Sequence, residues 1–237
     1  MIVKSVLGQY LLLSFLAGLF LIILVIVHSS SSVPVSSVDK IGITIFFIAC
    51  CIVGISFALR PNWRKHWLRK KGQTLKNKPD TLARKYKGHH PDCDKFQDHT
   101  ILFQQTTWCT GCLGLSIGSI CAILFMLMYG LSSYQQPVLV SKLIILLGLA
   151  TIGLVYLESI NTKQQKIIHL FSNAMLIVSF FLITMGLVEL TGTIVYGLFS
   201  LLLCVLWLET RIQLSKRQHE RICKLCTASC KIYRLTS

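Results

Sequence analysis

Residues 6–27 read VLGQYLLLSFLAGLFLIILVIV, a stretch without a single charge. Crossing the ~30 Å hydrocarbon core of a bilayer takes a helix of roughly 20 apolar residues, so this run is long enough to span. Five further apolar runs follow at 41–59, 110–131, 138–157, 167–188 and 190–208, none with a charge near its middle. The composition agrees. Of 237 residues, 53% are hydrophobic and 14% charged, and the mean hydropathy is +0.64. A soluble domain carries about 25% charged residues, which excludes an ordinary water-soluble globular protein. The expected fold class is an all-α integral membrane protein with six transmembrane helices, and too little chain remains for a large soluble domain.

The first run shares features with a secretory signal, since Lys4 precedes it and a serine run at 29–32 follows. Its apolar stretch exceeds the roughly 7–15 residues of a signal core, and it lacks the usual small-residue cleavage site. It is therefore expected to stay as a membrane span. Orientation follows from Lys and Arg, which concentrate in cytoplasmic segments. With the N-terminus inside, 22 of the 24 Lys and Arg fall on the inner side, leaving only Lys40 and Lys142 outside. Both termini are thus expected in the cytoplasm, in the cell membrane. The chain divides into a transmembrane hairpin (1–59), a basic cytoplasmic loop (60–109), a four-helix transmembrane region (110–208) and a cytoplasmic tail (209–237).

The loop opens RPNWRKHWLRKKG, residues 60–72. Trp63 and Trp67 are four apart and share one helical face. Around them stand Arg64, Lys65, Arg69, Lys70 and Lys71. Indoles favour headgroup depth and cations the anionic inner leaflet, so an interfacial basic helix is expected, with anionic lipid as partner. Nucleic-acid bases stack on Trp too, but the neighbouring span explains the same residues more simply. Residues 73–88 read as a polar linker.

Ten cysteines are present. Cys50, Cys51, Cys121 and Cys204 fall inside apolar spans and are expected to pack there as small hydrophobes. The other six, Cys93, Cys109, Cys112, Cys223, Cys226 and Cys230, fall on the expected cytoplasmic side. Disulfides are rare in that reducing compartment, so clustered thiols there point to metal or redox chemistry. Residues 88–118, GHHPDCDKFQDHTILFQQTTWCTGCLGLSIG, bring His89, His90, Cys93 and His99 ahead of Cys109-Thr-Gly-Cys112. A Cys-x2-Cys turn lets two sulfurs meet one tetrahedral ion, and Cys93 with a histidine can complete the set. Zinc is favoured over an iron–sulfur cluster because histidines accompany the thiols. A ligand-free reduced loop is the plainer reading. A third reading is redox chemistry: Trp108-Cys109-x-x-Cys112 is similar to the Trp-Cys-x-x-Cys segment of thioredoxin-like proteins, and a helix N-terminus stabilises a thiolate. No thioredoxin-like strand–helix–strand pattern surrounds it.

In the tail, His219, Cys223, Cys226 and Cys230 recur at helical spacing on one face, with Ile212 and Tyr233 extending the stripe. This is a docking face, a second metal site, or a source of two ligands for a site shared with Cys109 and Cys112.

The pattern HHPDC…F…H…CTGCLGL…G, running into a membrane helix over residues 88–118, resembles a family of small prokaryotic, archaeal-type polytopic membrane proteins with a His-His-Pro-x-Cys…His…Cys-x2-Cys-x-Gly motif. That family has no established activity, so the resemblance implies membrane residence and no reaction. The tail cysteines lie outside the pattern.

Within the spans, Gly114 and Gly118 form a Gly-x3-Gly pair that, with Gly111, admits another helix. Glu158, Glu189 and Glu209 fall at span ends, where water reaches them, and Lys142 is placed to snorkel. His169 and Asn173 lie four apart near the inner end of the fifth span, able to bond another helix or face a cavity. No acid or base stands at mid-depth, which counts against an ion-coupled transporter. His28 and His169 fall at opposite membrane faces, so no haem is expected. The leading expectation is a non-enzymatic structural or accessory subunit of a membrane complex, stabilised by a Cys/His zinc site. The alternatives are a thiol–disulfide oxidoreductase using Cys109 and Cys112, and a small-solute or metal transporter.

Overall fold

The computed structural model describes residues 2–28, 34–59, 85–87, 100–103, 106–160 and 165–224. In chain order these form α1 (Ile2–Val27), α2 (Ser37–Leu59), β1 (Lys85–Lys87), β2 (Thr100–Phe103), β3 (Thr106–Cys109), α3 (Thr110–Leu131), α4 (Val138–Ile160), α5 (Lys166–Thr191) and α6 (Ile194–Lys224). The six helices are each long and apolar enough to cross a bilayer, the architecture of a multi-pass membrane protein. The basic segment 60–72 lies outside the described residues. The strands add a small sheet, ordered β1-β3-β2, directly ahead of α3. Its first strand occupies part of what the sequence suggests is linker.

The helix ends have local causes. The Ser36 hydroxyl accepts the Val38 N–H at 3.3 Å, and Asp39 sits in the first turn of α2, where a negative charge suits the helix dipole. α5 stops at Gly192, which takes φ 72 and returns its N–H to the Val188 carbonyl at 2.9 Å. That left-handed cap needs glycine, and it turns the chain tightly into α6.

α5 is the centre of the bundle. Of its apolar stretch 78% is buried, against 22% to 33% in the other five helices. It packs against α3, α4 and α6. Lipid tails are as apolar as leucine, so burial alone does not drive helices together in a membrane; close backbone approach does. Gly114 and Gly118 of α3 supply it on one side. A Cβ at Gly114 would strike the Leu170 carbonyl, and one at Gly118 would come 2.7 Å from the Ala174 Cα. On the other side α4 and α5 interlock reciprocally. A Cβ at Gly148 would lie 2.7 Å from Ile183 Cγ1, and one at Gly186 would lie 2.6 Å from Ile145 Cγ1. Phe47 meets Phe181 edge-on at 6.4 Å, and Phe180 stacks on the buried Trp207 at 6.4 Å.

Two placements differ from the sequence reading. Lys40, expected in an outer loop, lies within the first turns of α2 and is buried; Glu189, expected in reach of water, is buried with it. Lys40 Nζ stands 2.9 Å from Glu189 Oε1, donates to the Tyr134 carbonyl at 2.9 Å, and lies 5.0 Å from the centre of the Tyr129 ring. The Gln136 N–H donates to Glu189 Oε2 at 3.1 Å. Each charge would be costly alone in the interior and is tolerable because the other is there. Lys142 Nζ donates to the His28 carbonyl at the end of α1 at 3.0 Å.

Gly118→Leu is expected to destabilise the protein by about 1–3 kcal/mol or more, measured by denaturation in detergent. Glu189→Leu strands Lys40 and should cost about 3–5 kcal/mol, most of it recovered in the double variant Lys40→Met/Glu189→Leu. Equal losses in single and double variants would contradict this account of the pair.

Candidate functional site

β3 runs into α3 with no loop between them. Cys109 is the last strand residue and also the helix N-cap, extended at φ −68 and ψ 123. Cys112 is the third residue of the helix. The spacing Cys-x2-Cys therefore spans one turn at a helix start, the positive end of the helix dipole. Both side chains face inward: Cys109 is 2% exposed and Cys112 9%, and with Ala58 of α2 they form a small cluster apart from the main core.

The sheet joins these thiols to the preceding segment. β2 pairs antiparallel with β3, in the register Thr100 with Cys109 and Ile101 with Trp108. β1 pairs parallel with β3 on its other edge, Lys87 opposite Trp108. Cys109 is thus held from two directions, by the ladder and by the first turn of α3.

Next to the thiols lies a polar cluster drawn from three helices. Gly111 makes room for it. A Cβ there would stand 3.4 Å from His169 Nε2, 3.8 Å from Asn173 Nδ2 and 3.9 Å from Cys109 Sγ. His169 Nδ1 lies 3.4 Å from Glu158 Oε1 at the end of α4. Arg211 Nη2 of α6 lies 3.4 Å from both ring nitrogens of His169. A carboxylate only accepts and a guanidinium only donates, so the imidazole ring, which can do both, bridges Glu158 and Arg211. The Glu158 carboxylate lies near enough to favour the charged form of Arg211. At 4% exposure Arg211 is a full charge inside the bundle, with Glu158 as its counter-charge.

α6 stays packed on the bundle beyond its apolar run, into the stretch the sequence reads as tail. Thr210, Arg211 and Leu214 are buried, and Gln218 donates to the Ser159 carbonyl of α4. The sixth helix stays on the bundle for nearly three turns beyond its apolar run because Arg211 has partners there.

Of the sequence-predicted site residues, Cys109 and Cys112 are brought together at one helix start. His89, His90, Cys93 and His99 lie outside the described residues, as do Trp63, Arg64, Lys65, Trp67, Arg69, Lys70 and Lys71. His219 and Cys223 fall on α6, while Cys226 and Cys230 lie outside the described residues. Among the described residues, no three His, Cys, Asp or Glu side chains form a group able to hold a metal ion. In the spans, Cys51 and Cys204 are buried, as expected of packing residues, and Cys50 is exposed. Sequence reading singled out His169 without its partners. The signal available was three ionisable residues, Glu158, His169 and Arg211, each at the same end of a different apolar run. Comparison with protein-family models, with curated proteins and with solved structures gives no match for this chain.

Burial should govern the reactivity of the two thiols. In folded protein in detergent, maleimide should label Cys109 and Cys112 at least about tenfold more slowly than in denaturant, because local opening must precede attack. Site-resolved mass spectrometry of the labelled peptides measures both rates. Equal rates in the two conditions would show that the first turn of α3 is open.

Proposed function

We propose that this chain is a cell-membrane protein with both termini in the cytoplasm, and a structural or accessory subunit of a membrane complex. Its Cys109 and Cys112, together with Cys93 and one of His89, His90 and His99, hold a zinc ion. The observation that carries the reading is the pairing of Thr100 with Cys109. The register brings the segment that carries the candidate histidines in sequence to the start of α3 at Thr100. Two thiolates one helical turn apart, a third thiol and an imidazole match the donor set of a closed structural zinc site. Zinc bound there would fasten the segment before β2 to the start of α3. The basic segment with Trp63 and Trp67, flanked by Arg64, Lys65, Arg69, Lys70 and Lys71, would lie along the anionic leaflet on the same side.

A second reading has its own support. Cys109 at the N-cap and Cys112 a turn later also suit a thiol pair that cycles with a disulfide.

Protein purified without chelator is expected to carry about one zinc per chain, falling below about a tenth in Cys109→Ser/Cys112→Ser. Removing zinc with a chelator should lower the thermal midpoint of the wild type and leave that of the double variant unchanged. Metal-free wild-type protein from cells grown with ample zinc would overturn the zinc reading. A glutathione titration with thiol trapping tests the second: if Cys109 and Cys112 never pass into a disulfide, it fails. Membrane-impermeant labelling should reach Ser30→Cys from outside and Ser237→Cys only after permeabilisation.

A further inference from the structure

Away from the thiols, α1, α4 and α6 enclose an apolar groove of about 450 Å³. That volume lies within the roughly 300–1,000 Å³ of ligand pockets. It exists because two glycines face it. Gly18 of α1 and Gly153 of α4 line the groove, and a Cβ at either would meet nothing within 4 Å. These differ from Gly114 and Gly148, whose missing side chains are filled by a neighbouring helix. Here the missing side chains leave space.

The groove has a defined length. Its lining runs from Leu11 to Ile22 on α1 and from Leu149 to Ile160 on α4. At 1.5 Å per residue that is roughly 16 Å, about half of a ~30 Å hydrocarbon core. Beyond Ile22, Lys142 Nζ ties α4 to the last carbonyls of α1, on His28 at 3.0 Å. On α4 the groove therefore occupies the half nearer the end where Glu158, His169 and Arg211 lie, and the Lys142 bond joins α1 to α4 beyond its other end. A partner helix crossing the bilayer needs a face along the full depth, and this groove offers half.

The wall chemistry selects hydrocarbon. The polar groups that border it are turned on one another: the Tyr156 hydroxyl donates to the Trp207 carbonyl at 2.9 Å, and Trp207 Nε1 donates to the Ser14 carbonyl at 3.3 Å. On the orientation proposed above, on which this inference rests, the Glu158 end of the groove lies on the side with 22 of the 24 Lys and Arg. Exposed Lys166 at the start of α5 and exposed Lys216 on α6 lie on that side.

We infer that this groove is a lipid site that takes one acyl chain of an anionic phospholipid, with its headgroup at the Lys-rich membrane face. The chain is held by the α1–α4 cleft that Gly18 and Gly153 hollow out. The site is independent of the thiol pair and of any zinc.

The test uses full-length protein reconstituted into phosphatidylcholine vesicles doped with phosphatidylglycerol that carries a photoactivatable diazirine near the middle of one acyl chain. Peptide mapping of wild-type protein is expected to place the label within residues 11–22 and 149–160. Doping with the same chain on phosphatidylcholine should label these positions more weakly. Gly18→Leu and Gly153→Leu should reduce labelling there by about tenfold or more, whereas Gly8→Leu, outside the groove, should not. Labels falling elsewhere on the wild type overturn the proposal even if both filled variants fail to fold. Undiminished labelling of the filled variants also overturns it. Equal labelling by the two headgroups overturns the anionic assignment. Oxidative crosslinking of Gly18→Cys to a second copy of the chain would show a protein helix in the groove and overturn the lipid assignment.

Discussion

The structure depends on how closely other helices approach the backbone of α5. In water, a helix with most of its surface apolar is driven into a core by hydration; in a bilayer that drive is absent between helices. What replaces it is fit at short range. Gly114 and Gly118 set α3 against the backbone at Leu170 and Ala174, while Gly148 and Gly186 admit Ile183 and Ile145 across the α4–α5 seam. Contacts at 114 with 170 and 118 with 174 make α3 and α5 parallel, and the reversed pairing of 148 with 183 and 186 with 145 makes α4 antiparallel to α5. The order of helices around α5 is therefore written in where side chains are missing. Larger residues at those positions would force α5 outward and expose its buried serines and threonines to lipid.

Buried charge then fixes the helices along their axes. Near the last turn of α5, Glu189 binds Lys40 of α2. Near its first turn, His169 stands between Glu158 of α4 and Arg211 of α6. Sliding α5 by one turn would move it ~5.4 Å and break both sets at once, leaving four ionised groups unpaired. Such groups are weak sources of net stability because their desolvation is large, but they penalise wrong registers severely. Glycine packing selects which helices touch, and the two charged clusters select how they are aligned.

This division explains what could be read from the sequence. The six spans were legible because a continuous apolar run is a local property, and all six runs appear as helices. Their ends were less so. Lys40 and Glu189 are 149 positions apart, and only their pairing lets each sit inside a helix where hydropathy alone would end it. Arg211 extended α6 along the bundle for the same reason. The Gly114–Gly118 pair was visible through its spacing, whereas Gly148 and Gly186 lie on different helices and have no spacing to reveal them. At the candidate site, Cys109 and Cys112 were legible as a motif. That Glu158 and Arg211 meet His169 beside them was not, since each comes from a different span. The sheet escaped notice because its strands are three and four residues long, too short for an alternating pattern to stand out.

Cys109 lies where these two scales meet. Its backbone belongs to β3, so the register with Thr100 ties it to the segment outside the bundle. One turn later, Gly111 and then Gly114 bring the same stretch of chain against α5. Between Cys109 and Gly114 there is little more than a turn of helix, too short to absorb a shift by bending. A change in the bonding of the two thiols, whether to an ion or to each other, must alter either the ladder or the contact with His169 and Asn173. The ladder is three short strands, and the α3–α5 contact is held by backbone packing that tolerates almost no displacement. The compliant side is therefore the sheet. A displacement of Cys109 would therefore be taken up by its pairing with β2 rather than by the packing of α3 on α5.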